Sequence, residues 1–129
     1  MRNSGALVLI ALALLSGCAQ RQARDVVLVA TGMSFALASS PEAANPALAF
    51  RPGERIRLTI KNEAPGLRHD VAIPAWDVAT KQVGFGETAQ VTFTVPQTDG
   101  AVDYYCRPHA TMMRGLVTVT PIEDPAAAQ

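Results

Sequence analysis

The chain has 129 residues and a formal net charge of zero at pH 7, a length that suits one small domain with a single core. Its 11 Lys and Arg residues are balanced by 11 Asp and Glu residues, and no long basic run is present. Nucleic-acid-binding domains usually carry a basic patch or stripe. We therefore expect no nucleic-acid partner, and we expect a monomer.

The first 17 residues have the layout of a secretory signal peptide. Arg2 precedes an apolar stretch at residues 6–15, which is too short to span a bilayer comfortably. Residues 15–18, with the sequence LSGC, resemble a bacterial lipobox, in which the signal is removed before the cysteine and that cysteine is lipidated. The resemblance implies a lipoprotein that begins at Cys18, and Ala19 mildly favours the outer membrane.

Two other interpretations of this segment remain open. The apolar stretch could stay uncleaved as an anchor, or Cys18 could form a disulfide with Cys106, the only other cysteine. If Cys18 carries a lipid, Cys106 is the single thiol of the exported domain. Free thiols in exported proteins tend to oxidise or to bind a metal, so Cys106 requires a partner.

The rest of the chain has the pattern of short β-strands. An apolar run and four alternating segments, each with the period of two typical of a half-buried strand, predict strands at residues 26–30, 55–61, 90–95, 102–106 and 116–120. Turns rich in Gly and Pro separate them. The pattern predicts an all-β sandwich over residues 25–120. We assign residues 18–24 to the lipidated cysteine and a polar tether, 39–46 to a surface loop, and 121–129 to a flexible tail.

Several metal-binding side chains lie between the last two predicted strands. They are Cys106, His109, Met112 and Met113. A mononuclear blue-copper site requires one thiolate and two imidazoles in a trigonal plane, with a weak axial thioether. The sequence contains only two histidines, so His69 must supply the second imidazole. The set predicts one copper ion that alternates between Cu(I) and Cu(II).

Other interpretations of these residues are weaker. A structural zinc site prefers four Cys or His ligands, and one cysteine is too few for a two-thiolate copper centre. A fold in which these side chains only pack in the core stays open. No nucleophile with an orienting base can be assembled from the remaining residues, so we predict that the chain is not an enzyme.

The chain resembles the cupredoxins, in particular the plastocyanin, pseudoazurin and amicyanin group. The resemblance rests on the Cys-x-x-His loop followed by methionine, on Pro108 before His109, on residues 33–35 and 51–53, and on Asn62 ahead of the histidine loop. It covers nearly all of residues 25–120. It implies a Greek-key β-sandwich that holds copper in loops at one end.

Two features depart from that group or leave a choice open. Asp70 stands where the family commonly has an asparagine that ties the two ligand loops together, so Asp70 could change loop rigidity or reduction potential. The axial ligand is either of two methionines. Counting back from the next strand through Arg114 selects Met113, which we prefer, whereas the amicyanin spacing from His109 selects Met112.

The resemblance also implies a function. Electrons would pass through the exposed edge of His109, within an apolar patch to which Pro65, Leu67, Pro108, Ala110 and Met112 could contribute. Arg68, Arg107 and Arg114 could add a positive rim that steers an acidic partner, or could be ordinary solvated side chains.

We therefore expect an electron carrier on the periplasmic side of the bacterial envelope that docks transiently with a cytochrome or a cuproenzyme. The same ligands would suit a periplasmic copper chaperone that delivers the ion to a cuproenzyme. A structural or adhesive sandwich lipoprotein with a vestigial site is the third alternative.

Overall fold

The structure is a computed structural model that describes residues 21–123. The predicted signal peptide, Cys18, the beginning of the tether and the last six residues of the predicted tail lie outside the described residues. Within residues 21–123, no helix is long and apolar enough to cross a membrane.

Nine β-strands in this part of the chain form two packed sheets. The strands are β1 Arg24–Thr31, β2 Ser34–Leu37, β3 Leu48–Phe50, β4 Arg55–Asn62, β5 Ala72–Ile73, β6 Val78–Ala79, β7 Thr88–Thr94, β8 Gly100–Tyr105 and β9 Arg114–Val119. One sheet has the order β2-β1-β4-β7 and the other β3-β9-β8-β5-β6. The predicted all-β sandwich is confirmed.

The longer strands begin and end within two residues of their predicted limits, because their side chains alternate strictly. In β4, Ile56, Leu58 and Ile60 are fully buried while the residues between them are at least partly exposed. Fully burying such a side chain contributes roughly 1.5–3 kcal/mol. The short strands β3, β5 and β6 contain too few residues for the alternation to reveal them.

The direction of β1 and β4 defines two opposite ends of the sandwich. These strands pair in parallel, from Arg24 beside Ile56 to Ala30 beside Asn62. Arg24 is also hydrogen-bonded to Glu54 in the turn before β4, whereas Asn62 leads into the loop that contains His69. We call the end that contains Asn62 the ligand end. Eight residues of strand span about 25 Å, so the chain enters the domain at the end far from it.

Candidate metal centre

The loop after β4 presents His69 to the interior of the ligand end. The backbone amide of His69 donates to the carbonyl of Val83, and the amide of Val83 donates to the carbonyl of His69, at 3.0 and 2.8 Å. This bridge fixes the backbone on both sides of the imidazole. The side chain itself is fully buried.

The side chain of Asn62 stabilises the same loop with three hydrogen bonds. Its Nδ2 donates to the carbonyl oxygens of Leu67 and Val83 at 2.7 and 2.9 Å, and its Oδ1 accepts from the amide of Ala64 at 2.9 Å. Asn62 is buried, so these bonds satisfy polar groups that have little access to water. Asn62, which lies ahead of the histidine loop, thus stabilises the backbone of that loop.

The second loop runs from the end of β8 to the start of β9 and closes on itself. Cys106 directly follows β8, and a single turn of 3-10 helix, Arg107–His109, comes next. The amide of His109 donates to the carbonyl of Cys106, and that of Met113 donates to the carbonyl of His109. The amide of Cys106 in turn donates to the carbonyl of Met113 at 3.0 Å. Cys106 and Met113, seven positions apart, therefore lie side by side.

The two loops bring one sulfur and two ring nitrogens together. Cys106 Sγ lies 3.6 Å from Nδ1 of His69 and 3.6 Å from Nδ1 of His109, and the three potential ligand atoms all lie within 4.8 Å of one another. Metal–sulfur and metal–nitrogen bonds of about 2.3 and 2.0 Å at about 120° place S and N about 3.7 Å apart. The two sulfur–nitrogen distances therefore suit a single metal ion that all three side chains would hold.

Burial tunes the protonation of two donors. Burial lowers the pKa of His69, the positive charge of His109 lowers it further, and the Gly32 backbone and the Asp70 carboxylate partly oppose this. The Nε2 atom of His69 is buried without a well-formed hydrogen bond, although the Gly32 backbone lies near enough to favour the charged ring. The neutral imidazole is the form that binds metals.

Burial also raises the pKa of the Cys106 thiol. Without a metal, the thiol therefore keeps its proton more strongly than an exposed cysteine does. A metal ion that binds here must displace that proton, because the thiolate is the form that coordinates metals.

The two methionines differ sharply in exposure. Met113 is fully buried, whereas 61% of Met112 is exposed. Met113 also lies beside Cys106 through the hydrogen bond described above. Burial and position favour Met113 over Met112 as the axial ligand.

Asp70 joins the histidine loop to the cysteine loop. Its buried carboxylate accepts from the backbone amide of Arg107 at 2.8 Å and from Arg107 Nε at 2.7 Å. Arg107 NH2 also donates to the carbonyl of Thr80 at 3.0 Å. An asparagine could accept the amide bond alone, whereas aspartate adds a charge that Arg107 neutralises. Arg107 thus neutralises the negative charge that Asp70 brings in place of the asparagine common in the family.

The other predicted site residues lie at the periphery. Arg68 is exposed and donates to the carbonyl of Gln82 at 3.1 Å. Arg114 is bonded to Asp103 and to the carbonyl of Ala110, and its guanidinium stacks 4.8 Å from the centre of the Tyr105 ring. Pro108 is exposed in the 3-10 turn. Among the described residues, Arg68, Arg114 and Pro108 form no hydrogen bond with the sulfur or nitrogen donor atoms.

Two residues that sequence analysis does not single out are Thr80, which contacts Arg107, and Phe85 in the turn after Val83. Thr80 supports Arg107 with its carbonyl, and its Oγ1 accepts from the amide of Val71 at 3.2 Å. Phe85, 62% exposed, lies two residues after Val83. A threonine in a short strand region and a single aromatic residue in a Gly-rich turn are too common to be informative alone.

Comparison with known proteins gives a family match for residues 59–120. Residues 59–120 match the family model of copper binding proteins of the plastocyanin/azurin family. This region contains both histidines, Cys106 and both candidate methionines. Over these residues the chain is similar to the cupredoxins. A search of curated protein sequences found no significant match.

Solved structures of copper proteins share the fold of this chain. Reduced auracyanin from Roseiflexus castenholzii superposes with a TM-score of 0.61 at 19% identity, covering 78% of this chain and 100% of that one. Rusticyanin with the Ser86Asp and Met148Leu substitutions gives 0.52 at 25% identity, over 74% of this chain and 76% of that one. A P52G amicyanin in the reduced Cu(I) form gives 0.50 at 26% identity, over 74% and 82%.

The cupredoxin family and the convergent donors together indicate one copper ion. The donor set suits copper because a thiolate with two imidazoles and a distant thioether is the blue-copper arrangement. His69, Cys106 and His109 would hold the ion in the plane. The predicted copper cofactor is confirmed.

The Asp70–Arg107 contact can be tested in the metal-free protein. We expect Arg107→Met to lower the free energy of unfolding by about 2–4 kcal/mol, because it leaves a buried carboxylate without its counter-charge. In the Asp70→Asn background the same change should cost less than about half as much, because no charge remains buried. Urea unfolding of the four proteins measures both costs. Equal costs in the two backgrounds would show that the ion pair is unimportant.

Proposed function

We propose that this chain is a blue-copper protein that carries single electrons between redox proteins. The observation that carries the proposal is the exposure of the three donors. Cys106 and His69 are fully buried, whereas His109 is only half-buried. Copper bound here would store one electron by alternating between Cu(I) and Cu(II). His109 would connect the interior to the surface.

The ligand loops are built to keep their positions when an electron moves. The His69–Val83 bridge, the Asn62 bonds and the Asp70–Arg107 contact fix the histidine loop, and the backbone bonds between Cys106, His109 and Met113 fix the other. Burial of His69, Cys106 and Met113 excludes water. A site that rearranges little suits both copper states.

We propose that Met113 is the axial ligand, because it is buried beside Cys106 while Met112 faces solvent. Met112 then joins the docking surface around His109. Pro65 and Pro108 are also exposed, and Leu67 and Ala110 are half-buried. A small apolar surface of this kind suits brief contacts. We propose a cytochrome or a cuproenzyme as the partner, met by a monomer.

The charges give partial support to an acidic partner. Arg107 and Arg114 are each paired with a carboxylate, so their contribution to a positive rim is reduced. Arg68 bonds only a backbone carbonyl among the described contacts. It is therefore the arginine of the three best suited to steer a negatively charged partner.

Delivery of copper to a cuproenzyme is the alternative function. The ligands are buried and their loops are held by hydrogen bonds, which favours retention of the ion over delivery.

A catalytic function has little support. Part of a multicopper oxidase from Aquifex aeolicus shares the fold, but the match covers 27% of that chain. In residues 21–123, His69, Cys106 and His109 are the one His/Cys/Asp/Glu group that could hold a metal. We propose a carrier without enzymatic turnover.

We also propose that a lipid on Cys18 anchors the protein to the bacterial envelope with the domain in the periplasm. The direction in which β1 runs through the sandwich supports this arrangement. Strand β1 begins at the end opposite the ligand end, so the tether predicted at residues 18–24 would leave the copper site directed away from the membrane and accessible to partners.

The copper spectrum tests the site and the axial ligand. Copper(II) added to the purified domain should produce an intense thiolate-to-copper band at about 600 nm. Met113→Leu should keep the band, shift it and raise the reduction potential, because the oxidised ion loses an axial donor, while Met112→Leu should change neither. Absence of the band in the unaltered domain would contradict the blue-copper assignment, and equal effects of both substitutions would contradict Met113.

Electron exchange separates a carrier from a delivery protein. We expect the copper-loaded domain to keep its ion when mixed with excess chelator, and to reduce an oxidised cytochrome in a stopped-flow measurement. Arg107→Met, which loosens the contact between the loops, provides a variant in which faster copper loss is expected. Rapid loss from the unaltered protein with negligible electron exchange would favour delivery.

Lipidation can be tested in whole bacteria that express the full chain. The protein should enter the detergent phase of a Triton X-114 separation and incorporate labelled palmitate, and Cys18→Ser should abolish both because the acyl acceptor is lost. Cys106→Ser serves as the control for loss of a thiol and should remain labelled. Labelling of the Cys18→Ser protein would overturn the anchor.

A further inference from the structure

The connection between β2 and β3 reaches the copper loop through Asn45. Its backbone amide donates to the carbonyl of Phe35 at 2.7 Å, and its Oδ1 accepts from the amide of Phe35 at 3.0 Å. Its Nδ2 donates to the carbonyl of Met112 at 3.0 Å. One side chain therefore links strand β2 to the residue that precedes Met113.

The backbone of Asn45 is itself unusual. Its φ angle is +48°, in the left-handed region that asparagine adopts more readily than most residues. This conformation turns the chain so that both the backbone and the side chain of Asn45 face Phe35. An ordinary surface loop does not require two bonds to a buried strand residue and a third to a distant loop.

The bond from Asn45 acts on a peptide group that is already held on its other side. The carbonyl of Met112 and the amide of Met113 belong to one planar unit. The amide donates to the carbonyl of His109 at 2.9 Å, and the carbonyl accepts from Asn45. Two opposed bonds therefore fix the orientation of the plane from which the Met113 side chain departs.

The next residue of the connection steadies the strand that enters the copper loop. The carbonyl of Pro46 accepts from the hydroxyl of Tyr104 at 2.6 Å. Tyr104 is fully buried and lies opposite Gly115 in the β8–β9 pair, where any side chain at position 115 would overlap its ring. Residues 45 and 46 thus contact both sides of the loop that spans Cys106 and Met113.

We propose that Asn45 is a positioning residue for the axial thioether of Met113. This inference rests on the proposed role of Met113 as a copper ligand. Without the Asn45 bond, the Met112–Met113 peptide is held only through His109, and Met113 can move away from the site. The axial donor then weakens, and weaker axial donation favours Cu(I).

Two substitutions and a control test the proposal. Asn45→Gly keeps the left-handed backbone accessible but removes both side-chain bonds. Asn45→Asp keeps the acceptor for the Phe35 amide, removes the donor to Met112, and adds a negative charge that faces the Met112 carbonyl. Ser40→Ala removes the exposed hydrogen bond between Ser40 and Glu42 in the same connection and serves as the matched control.

The measurements are the visible spectrum and reduction potential of each copper-loaded protein, with urea unfolding of the metal-free forms. Both Asn45 variants should change the relative intensity of the charge-transfer bands in the same direction. Asn45→Gly should also raise the potential, while Ser40→Ala leaves spectrum and potential unchanged.

Three outcomes decide between the interpretations. A loss of stability in the Asn45 variants with an unchanged spectrum and potential would overturn the proposal and leave Asn45 as a purely structural residue. A change in Asn45→Gly alone would also overturn it, because the Phe35 bond would then be responsible. Absence of the charge-transfer band in the unaltered protein would instead defeat the blue-copper function itself.

Discussion

The contact between Asp70 and Arg107 is the constraint on which the site depends, because it joins two loops that are far apart in sequence. His69 comes from the loop after β4 and pairs with Val83, while Cys106 directly follows β8 in the other sheet. The carboxylate of Asp70 accepts a hydrogen bond from the backbone amide of Arg107, the residue after Cys106. Each loop is stiff by itself, and this contact sets the distance between them.

A rigid frame of this kind explains the distribution of burial at the ligand end. Deeply buried donors are expensive to rearrange, since each change of position exposes unsatisfied polar groups or opens a cavity. The half-buried His109 is the exception. A metal held in such a frame is shielded from solvent and is still within reach of a partner at one ring edge, which suits electron transfer better than release of the ion.

The sequence predicted the β-sandwich and the donor residues for clear physical reasons. Strict alternation in β4 reveals a half-buried strand, and two histidines with one cysteine in the predicted domain leave little choice of thiolate and imidazole ligands. The support around the site was harder to predict. Asn45 lies in a segment without periodicity, and its importance arises from a contact with Met112, 67 positions away. The partner of Asp70 could not be identified either, because the arginines at positions 68, 107 and 114 are equivalent in sequence and only the fold places Arg107 against the carboxylate.

X-ray absorption at the copper edge, recorded on the oxidised and the reduced protein, tests the central claim most directly. A frame that holds its ligands predicts one sulfur and two nitrogen neighbours in both states, with bond lengths that differ by no more than about 0.1 Å. Loss of a nitrogen or sulfur neighbour on reduction, or gain of additional oxygen ligands on oxidation, would contradict a site whose geometry is set by the protein.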